Sequence, residues 1–295
     1  MVSSRRYKIS FKEKLYFGLM LAVSSLLYIC AIHVFFMYTT HFYICGSYAL
    51  LVAVFMFVMH VFFIGHLKGN AIKLNQNQLH EVYEIVQMQS EKLGLKKSPS
   101  IWVLQGNGIL NAFASRFIGR NYIVLYSDVL ETAYKEGLPA IQFIIGHELG
   151  HIKRDHVGFV KSFFILPAKL IPFLGSAYSR ACEYSCDMIG YDLCSEGAEK
   201  GISILAAGKE LYKKINMIEV LAQAQKEKGF VMWFAEIFSS HPHLVKRIAS
   251  LQELNRNNEL ENSVTVKGSR VANNEFDGAR PETNDISKQP PLSSL

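Results

Sequence analysis

His147-Glu148-Leu149-Gly150-His151 is the stretch of this chain whose residue types and spacing can do chemistry. On a helix, residues four apart share one face, one turn apart. Two imidazoles so placed can grip one zinc ion. Glu148 lies close enough to act on a water at that metal, and is badly placed to be a third ligand. The chemistry implied is peptide-bond hydrolysis by a zinc-activated water. Glu148 takes the water proton as general base and later passes it to the leaving amine.

A hydrolytic zinc, one per chain, wants three protein ligands and one open position. One known solution places a histidine six residues after the second, with a glycine at the third. Those places hold Val157 and Arg154, which excludes it. The other solution takes an acid from a later helix. Ser179-Arg180-Ala181-Cys182-Glu183-Tyr184-Ser185-Cys186-Asp187 reads as such a helix. Glu183 is the expected ligand, and Asp187, one turn on, can accept the free N–H of a ligand histidine and fix its tautomer. A rival set is His147, His151, Cys182 and Cys186. It would close the zinc site and make the chain a non-enzymatic membrane adaptor. Against it, the two cysteines share a face not centred on Glu183, and Glu148 would have no task. The oxyanion that forms on the substrate needs one more donor. Arg180, one turn before Glu183, and His241 of Ser240-His241-Pro242-His243 are the candidates.

The elements around these residues must hold them rigidly. Ile141, Ile144, Ile145, Leu149 and Ile152 form an apolar stripe at helical spacing. Pro139 suits the first turn, so the spacing predicts a helix running to about Asp155. Gly146 and Gly150 are poor helix formers, and their use is close approach of another backbone or of substrate. Upstream, Leu74 to Leu95 reads as an amphipathic helix carrying Leu79, Val82, Ile85 and Val86. Ile101–Leu104 and Asn121–Tyr126 read as strands, and Asn111-Ala112-Phe113-Ala114 is short and extended. Ser127 or Asp128 can cap a short helix ending near Gly137.

Half of the residues are hydrophobic, and the excess is N-terminal. Leu15–Tyr38 and Tyr43–His66 are runs without Asp, Glu, Lys or Arg, each long enough to cross a hydrocarbon core of about 30 Å. Thr39-Thr40-His41-Phe42 between them reads as a tight turn, so the two spans form an antiparallel hairpin in the lipid bilayer. Arg5, Arg6, Lys8, Lys12 and Lys14 precede the hairpin and Lys68 and Lys73 follow it. The positive-inside rule then puts both ends in the cytoplasm of a multi-pass protein of the cell (inner) membrane. His33 and His60, inside the spans, read as neutral histidines packed between helices. Val157–Tyr178 is apolar but broken by Lys161, Pro167, Lys169 and Pro172. The zinc ligands must meet on one side of the membrane, so this segment cannot cross once. It lies on or dips into the membrane, or covers the site. From Arg256 the chain turns polar, with Pro281, Pro290 and Pro291, as a disordered tail does. The net charge of +6 comes without a basic stripe interleaved with aromatics, which excludes a nucleic-acid partner. Five cysteines imply no disulfide framework.

Taken together, these residues resemble the HtpX-like membrane zinc metallopeptidases, relatives of the CAAX prenyl proteases, over roughly residues 70 to 255. The likeness rests on Gly146–Ile152 with Asp155 beyond, on Ser179-Arg180 with Glu183-Tyr184 and Asp187, on Asn111–Ala114, and on His241-Pro242. It implies a mainly α fold with a small β-sheet: a transmembrane hairpin (15–66) after a basic N-terminus (1–14), a gluzincin-type peptidase domain (67–255), and a polar tail (256–295). It implies His147, His151 and Glu183 as zinc ligands and Glu148 as base. Asn111–Ala114 would be an edge strand that takes an extended substrate by backbone pairing. The resemblance also raises His241 above Arg180 as transition-state donor. The expected partners are protein or peptide substrates at the membrane, met in quality control or processing. Three departures stand out. Cys186 sits where relatives usually carry a small residue such as Ala, and Ser115-Arg116 where a glycine is common. The segment 157–178 replaces two further spans.

Overall fold

The computed structural model describes residues 9–108, 111–117, 119–207, 211–214, 216, 218, 219, 222, 226 and 229–257. Arg5, Arg6 and Lys8 of the basic N-terminus, and all of the polar tail beyond 257, lie outside the described residues. The chain forms two compact units, Met1–Leu251 and Gln252–Leu295. In the second, residues 252–257 are helical. The first holds everything that follows.

It is mainly helical with one small sheet. Helix α1 is Phe11–Met37 and α2 is Thr39–Asn70. Each is long and apolar enough to cross a membrane. Residues 39–42 are helical, so the only break is at Tyr38, and the expected four-residue turn is absent. Thr39-Thr40-His41-Phe42 carries no glycine or proline to break a helix there. The first turn of α1 and the last turns of α2 both touch the rest of the unit. Glu13 is buried, and Leu67 packs against Trp102, Tyr122 and Val124. The hairpin therefore leaves the unit and returns to it, with most side chains between exposed. His60 sets its ring against Phe117, while His33 faces outward.

Strand β1 (Ile72–Lys73), β2 (Ser100–Leu104), β3 (Ala112–Phe117) and β4 (Arg120–Tyr126) form a sheet in the order β1-β2-β4-β3. β2 and β4 run parallel, with Trp102 opposite Val124, and β3 is the antiparallel edge, with Ala114 opposite Ile123. Helix α3 spans His80–Lys92, shorter than its periodicity predicts. Leu79 takes a left-handed conformation (φ 50°), which blocks the helix, while Leu74 N–H donates to the Ile101 carbonyl beside β1. Helix α4 (Ser127–Glu136) ends at Gly137, whose φ of 97° suits glycine. It has no side-chain cap, because the Asp128 carboxylate instead accepts the Gly108 N–H at 3.0 Å.

Helix α5 (Leu138–Lys153) carries the H-E-x-x-H residues and buries the predicted isoleucine stripe. Helices α6 (Phe159–Lys169) and α7 (Pro172–Leu193) follow, then α8 (Ala198–Ala207), α9 (Phe230–Phe238) and a helical stretch over 244–251. The two glycines of α5 set its distance from α7. A Cβ on Gly146 would lie 3.1 Å from Gly190 Cα, and one on Gly150 would lie 3.2 Å from Cys186 Cα. The backbones are thus nearly in contact, and α5 presents its histidines directly to the acids of α7. The same closeness explains why position 186 needs a small side chain.

The segment 157–178 forms α6 and the first turns of α7, laid along α1, and Val157 at its start lines the cavity described below. Met20 packs among Ile165, Ala168, Leu174, Tyr178 and Cys182. Tyr28 O–H donates to the Phe163 carbonyl at 2.7 Å, and Ala168 N–H donates to Ser24 Oγ at 3.1 Å. The outer face, with Phe159, Phe163, Phe164, Leu170 and Phe173, is exposed and apolar.

Candidate metal centre

Where α5 crosses α7, His147 Nε2 and His151 Nε2 stand 3.3 Å apart. Each is 3.5 Å from a different oxygen of Glu183. Zinc bonds of about 2.0–2.1 Å in a tetrahedron place neighbouring ligand atoms about 3.4 Å apart. The spacing of these donors therefore fits a zinc ion. All of them lie within 4.8 Å of one another. Glu148, on the next position of α5, is buried, and its Oε2 has no hydrogen-bond partner. Burial is the main force raising its pKa to about 7, helped by the Glu183 charge and opposed by His147 and by a backbone hydrogen bond from Ala114. A lone carboxylate oxygen in that state needs a polar guest, and water is the obvious one.

The remaining nitrogens of the two histidines are also held. His147 Nδ1 is 2.9 Å from Asp187 Oδ1, as the one-turn spacing from Glu183 predicts. Asp187 in turn takes a bidentate grip from Arg247, whose Nε and Nη2 donate at 2.8 and 2.5 Å. Arg247 Nη1 also lies 3.8 Å from Glu183 Oε2. His151 Nδ1 faces His156 Nδ1 at 3.1 Å, and His156 Nε2 faces Glu13 Oε1 at 3.0 Å.

These residues open onto a cavity of about 440 Å³. One wall is Asn111, Ala112, Phe113 and Ala114, and His241 and Arg247 form another part of the rim. Asn111 immediately precedes β3, so the free edge of the sheet runs past the site. His241 is mostly exposed, with Nδ1 3.5 Å from Glu183 Oε2. The hydrogen bond to Glu183 raises its pKa. Arg180 is not brought to the cavity. Its guanidinium donates to the carbonyls of Glu236, Ile237 and Ser239, closing the C-terminal end of α9. Nor does the rival sulfur set assemble. Cys186 shares donor spacing with His151 and His156, and Cys182 with Glu13 and His156. Among the described residues no such cluster joins His147 to either cysteine. All five cysteines are free.

Sequence reasoning missed Arg247, His156 and Glu13. Nothing local distinguishes Arg247 from Lys246. His156 is visible only as a third histidine five residues after His151, and Glu13 as a lone acid between Lys12 and Lys14.

Burial disfavours charge on both histidines of α5. At His147 the hydrogen bonds and charges of Asp187 and Glu183 outweigh burial and raise the pKa to about 10. At His151 burial and the neighbouring His147 lower it to about 3. Without metal, one proton therefore sits on His147 at neutral pH. Metal binding needs that nitrogen neutral, so the proton must leave. Zinc affinity should therefore rise as pH increases above 7, because the proton on His147 competes with the metal. Calorimetry at pH 7.5 in buffers of different ionisation enthalpy should show about one proton released per zinc. Release of none would mean that the metal-free His147 does not hold the proton that zinc must displace.

The sequence model of peptidase family M48 matches residues 73–166 and 157–255. The chain is 25% identical to a protease HtpX homolog of Fusobacterium nucleatum subsp. nucleatum, over 59% of this chain and 69% of that protein. It is 26% identical to the plastoglobule-localized metallopeptidase 48, chloroplastic, of Arabidopsis thaliana, over 39% of this chain and only 33% of that protein. A crystal structure of S. mikatae Ste24p aligns at 15% identity with a TM-score of 0.46, covering 84% of this chain and 66% of that one.

Proposed function

Because the chain belongs to peptidase family M48, we propose that it is a membrane-anchored zinc endopeptidase whose metal is held by His147, His151 and Glu183 and whose general base is Glu148. The observation that carries this reading is the convergence of three ligand atoms at zinc-compatible spacing beside the unpartnered Glu148 Oε2. Zinc, when bound, supplies a Lewis acid that polarises the scissile carbonyl and makes water more acidic. Everything else is done by side chains and backbone. Glu148 takes a proton from the attacking water as the C–O bond forms. It returns that proton to the amide nitrogen as the C–N bond breaks. The edge of β3 pairs with an extended peptide and lays its carbonyl across the site. His241, carrying a proton more readily because of Glu183, donates to the oxyanion. Asp187, clamped by Arg247, holds the ring of His147.

The hairpin of α1 and α2 anchors this site, and the exposed aromatic face of α6 and the start of α7 enters the bilayer beside α1. Lipid requires backbone polar groups to be paired, and beside Pro167 the hydroxyls of Tyr28 and Ser24 serve the Phe163 carbonyl and the Ala168 N–H. The anchoring concentrates the enzyme near membrane-borne substrates, which fits quality control or processing. With both ends of the hairpin at the catalytic unit, the basic flanks put that unit in the cytoplasm. A reporter fused after Asn70 should score as cytoplasmic, and an extracytoplasmic score would overturn the orientation.

The full-length protein in lipid nanodiscs should cleave casein, stop when a zinc chelator is added, and resume when zinc is restored. Cleavage indifferent to the chelator would refute the proposal.

A further inference from the structure

We propose that Glu13, at the foot of the first membrane helix, is a positioning residue for the metal ligand His151, acting through His156. The inference rests on the zinc reading above and goes beyond it, because it makes the membrane anchor part of the metal centre.

Proton placement carries the argument. His151 turns Nε2 toward His147 and Glu183, which leaves Nδ1 facing His156 Nδ1 at 3.1 Å. Two ring nitrogens at that distance need one donor and one acceptor. A metal on His151 Nε2 leaves the ring proton on Nδ1, which must donate. His156 Nδ1 must then offer its lone pair, and its own proton must sit on Nε2. That proton points at Glu13 Oε1, 3.0 Å away. One tautomer of each ring satisfies the whole chain, and the carboxylate of Glu13 selects it. The arrangement parallels the other ligand, where Asp187 holds His147 directly.

Glu13 is held in place by its neighbours, with His156 first among them and Ser185 and Arg154 beside it. Burying a carboxylate is costly without a partner. Yet Glu13 is 2% exposed, 143 residues from His156 in the chain. Ser10 holds its backbone N–H at 3.3 Å. Met20 and Ser24, further along the same helix, lock against α6 and α7. Displacing α1 would therefore release His156 and loosen His151.

The test uses the full-length protein in nanodiscs and zinc alone, with affinity read by competition against a chromophoric chelator. Glu13→Met keeps length and an apolar fit but offers no acceptor to His156. It should weaken zinc binding about 10–100-fold. Glu13→Gln, whose amide oxygen can accept the same N–H, should restore most of the affinity. His156→Leu should weaken binding as Glu13→Met does, and the double variant should lose no more than either alone. Lys14→Ala should bind like the wild type. A Glu13 that merely packs α1 would shift the melting temperature of the metal-free protein and leave zinc affinity within twofold, which would overturn the proposal. Additive losses in the double variant would overturn it too. So would two zinc ions per wild-type chain, since Glu13, His156 and Cys182 would then be ligands of the second. Wild type with one zinc and an unaffected Glu13→Met variant defeats this inference alone. Wild type without zinc defeats the enzymatic reading as well.

Discussion

Glu148→Gln should lower kcat/KM at least about 1,000-fold while leaving zinc content and melting temperature close to wild type. The amide keeps the shape of the side chain but can no longer take a proton from water. The replaced group is buried beside the ligands and holds an oxygen without a partner, so its role is chemical and not structural. The affinity for zinc should hold or fall slightly, because a buried carboxylate that attracts the cation becomes a neutral amide. Turnover by the variant within tenfold of wild type would show that proton transfer runs through another group.

Glu183→Ala should cost zinc affinity by more than about 100-fold and abolish cleavage with it. The loss has two sources. One of three ligands disappears, and the negative charge that sits between His147, His151 and His241 goes with it. Burial opposes that charge, but hydrogen bonds from His147 and His241 hold the carboxyl well below the usual carboxylate range. Zinc content by mass spectrometry after dialysis at pH 7.5 reads the result. One retained zinc per variant chain would remove Glu183 from the ligand set.

What the sequence made legible was local. The pair His147 and His151 is written in a four-residue spacing that a helix converts directly into geometry. Glu183 and Asp187 followed because an alternative ligand position holds Val157 and because their own spacing is again one helical turn. The close α5–α7 contact was signalled by Gly146 and Gly150, although the partners, Gly190 and Cys186, were not. The edge strand at Asn111–Ala114 came from resemblance, and β3 extends it to Phe117. What stayed hidden depends on contacts between distant segments. Arg180 and Arg247 are equally plausible cations in the sequence. Only the fold shows that the carbonyls ending α9 claim the first and Asp187 claims the second. Helix ends failed where a single backbone conformation overrode periodicity, as at Leu79. At residues 39–42, where neither glycine nor proline breaks the chain, the helix ran on.

X-ray absorption at the zinc edge of the purified full-length protein tests the central claim most directly. The account predicts one zinc per chain surrounded only by nitrogen and oxygen at about 2.0–2.1 Å, with the outer-shell pattern of two imidazoles. A sulfur shell at about 2.3 Å, or protein that carries no zinc when supplied with it, would contradict it.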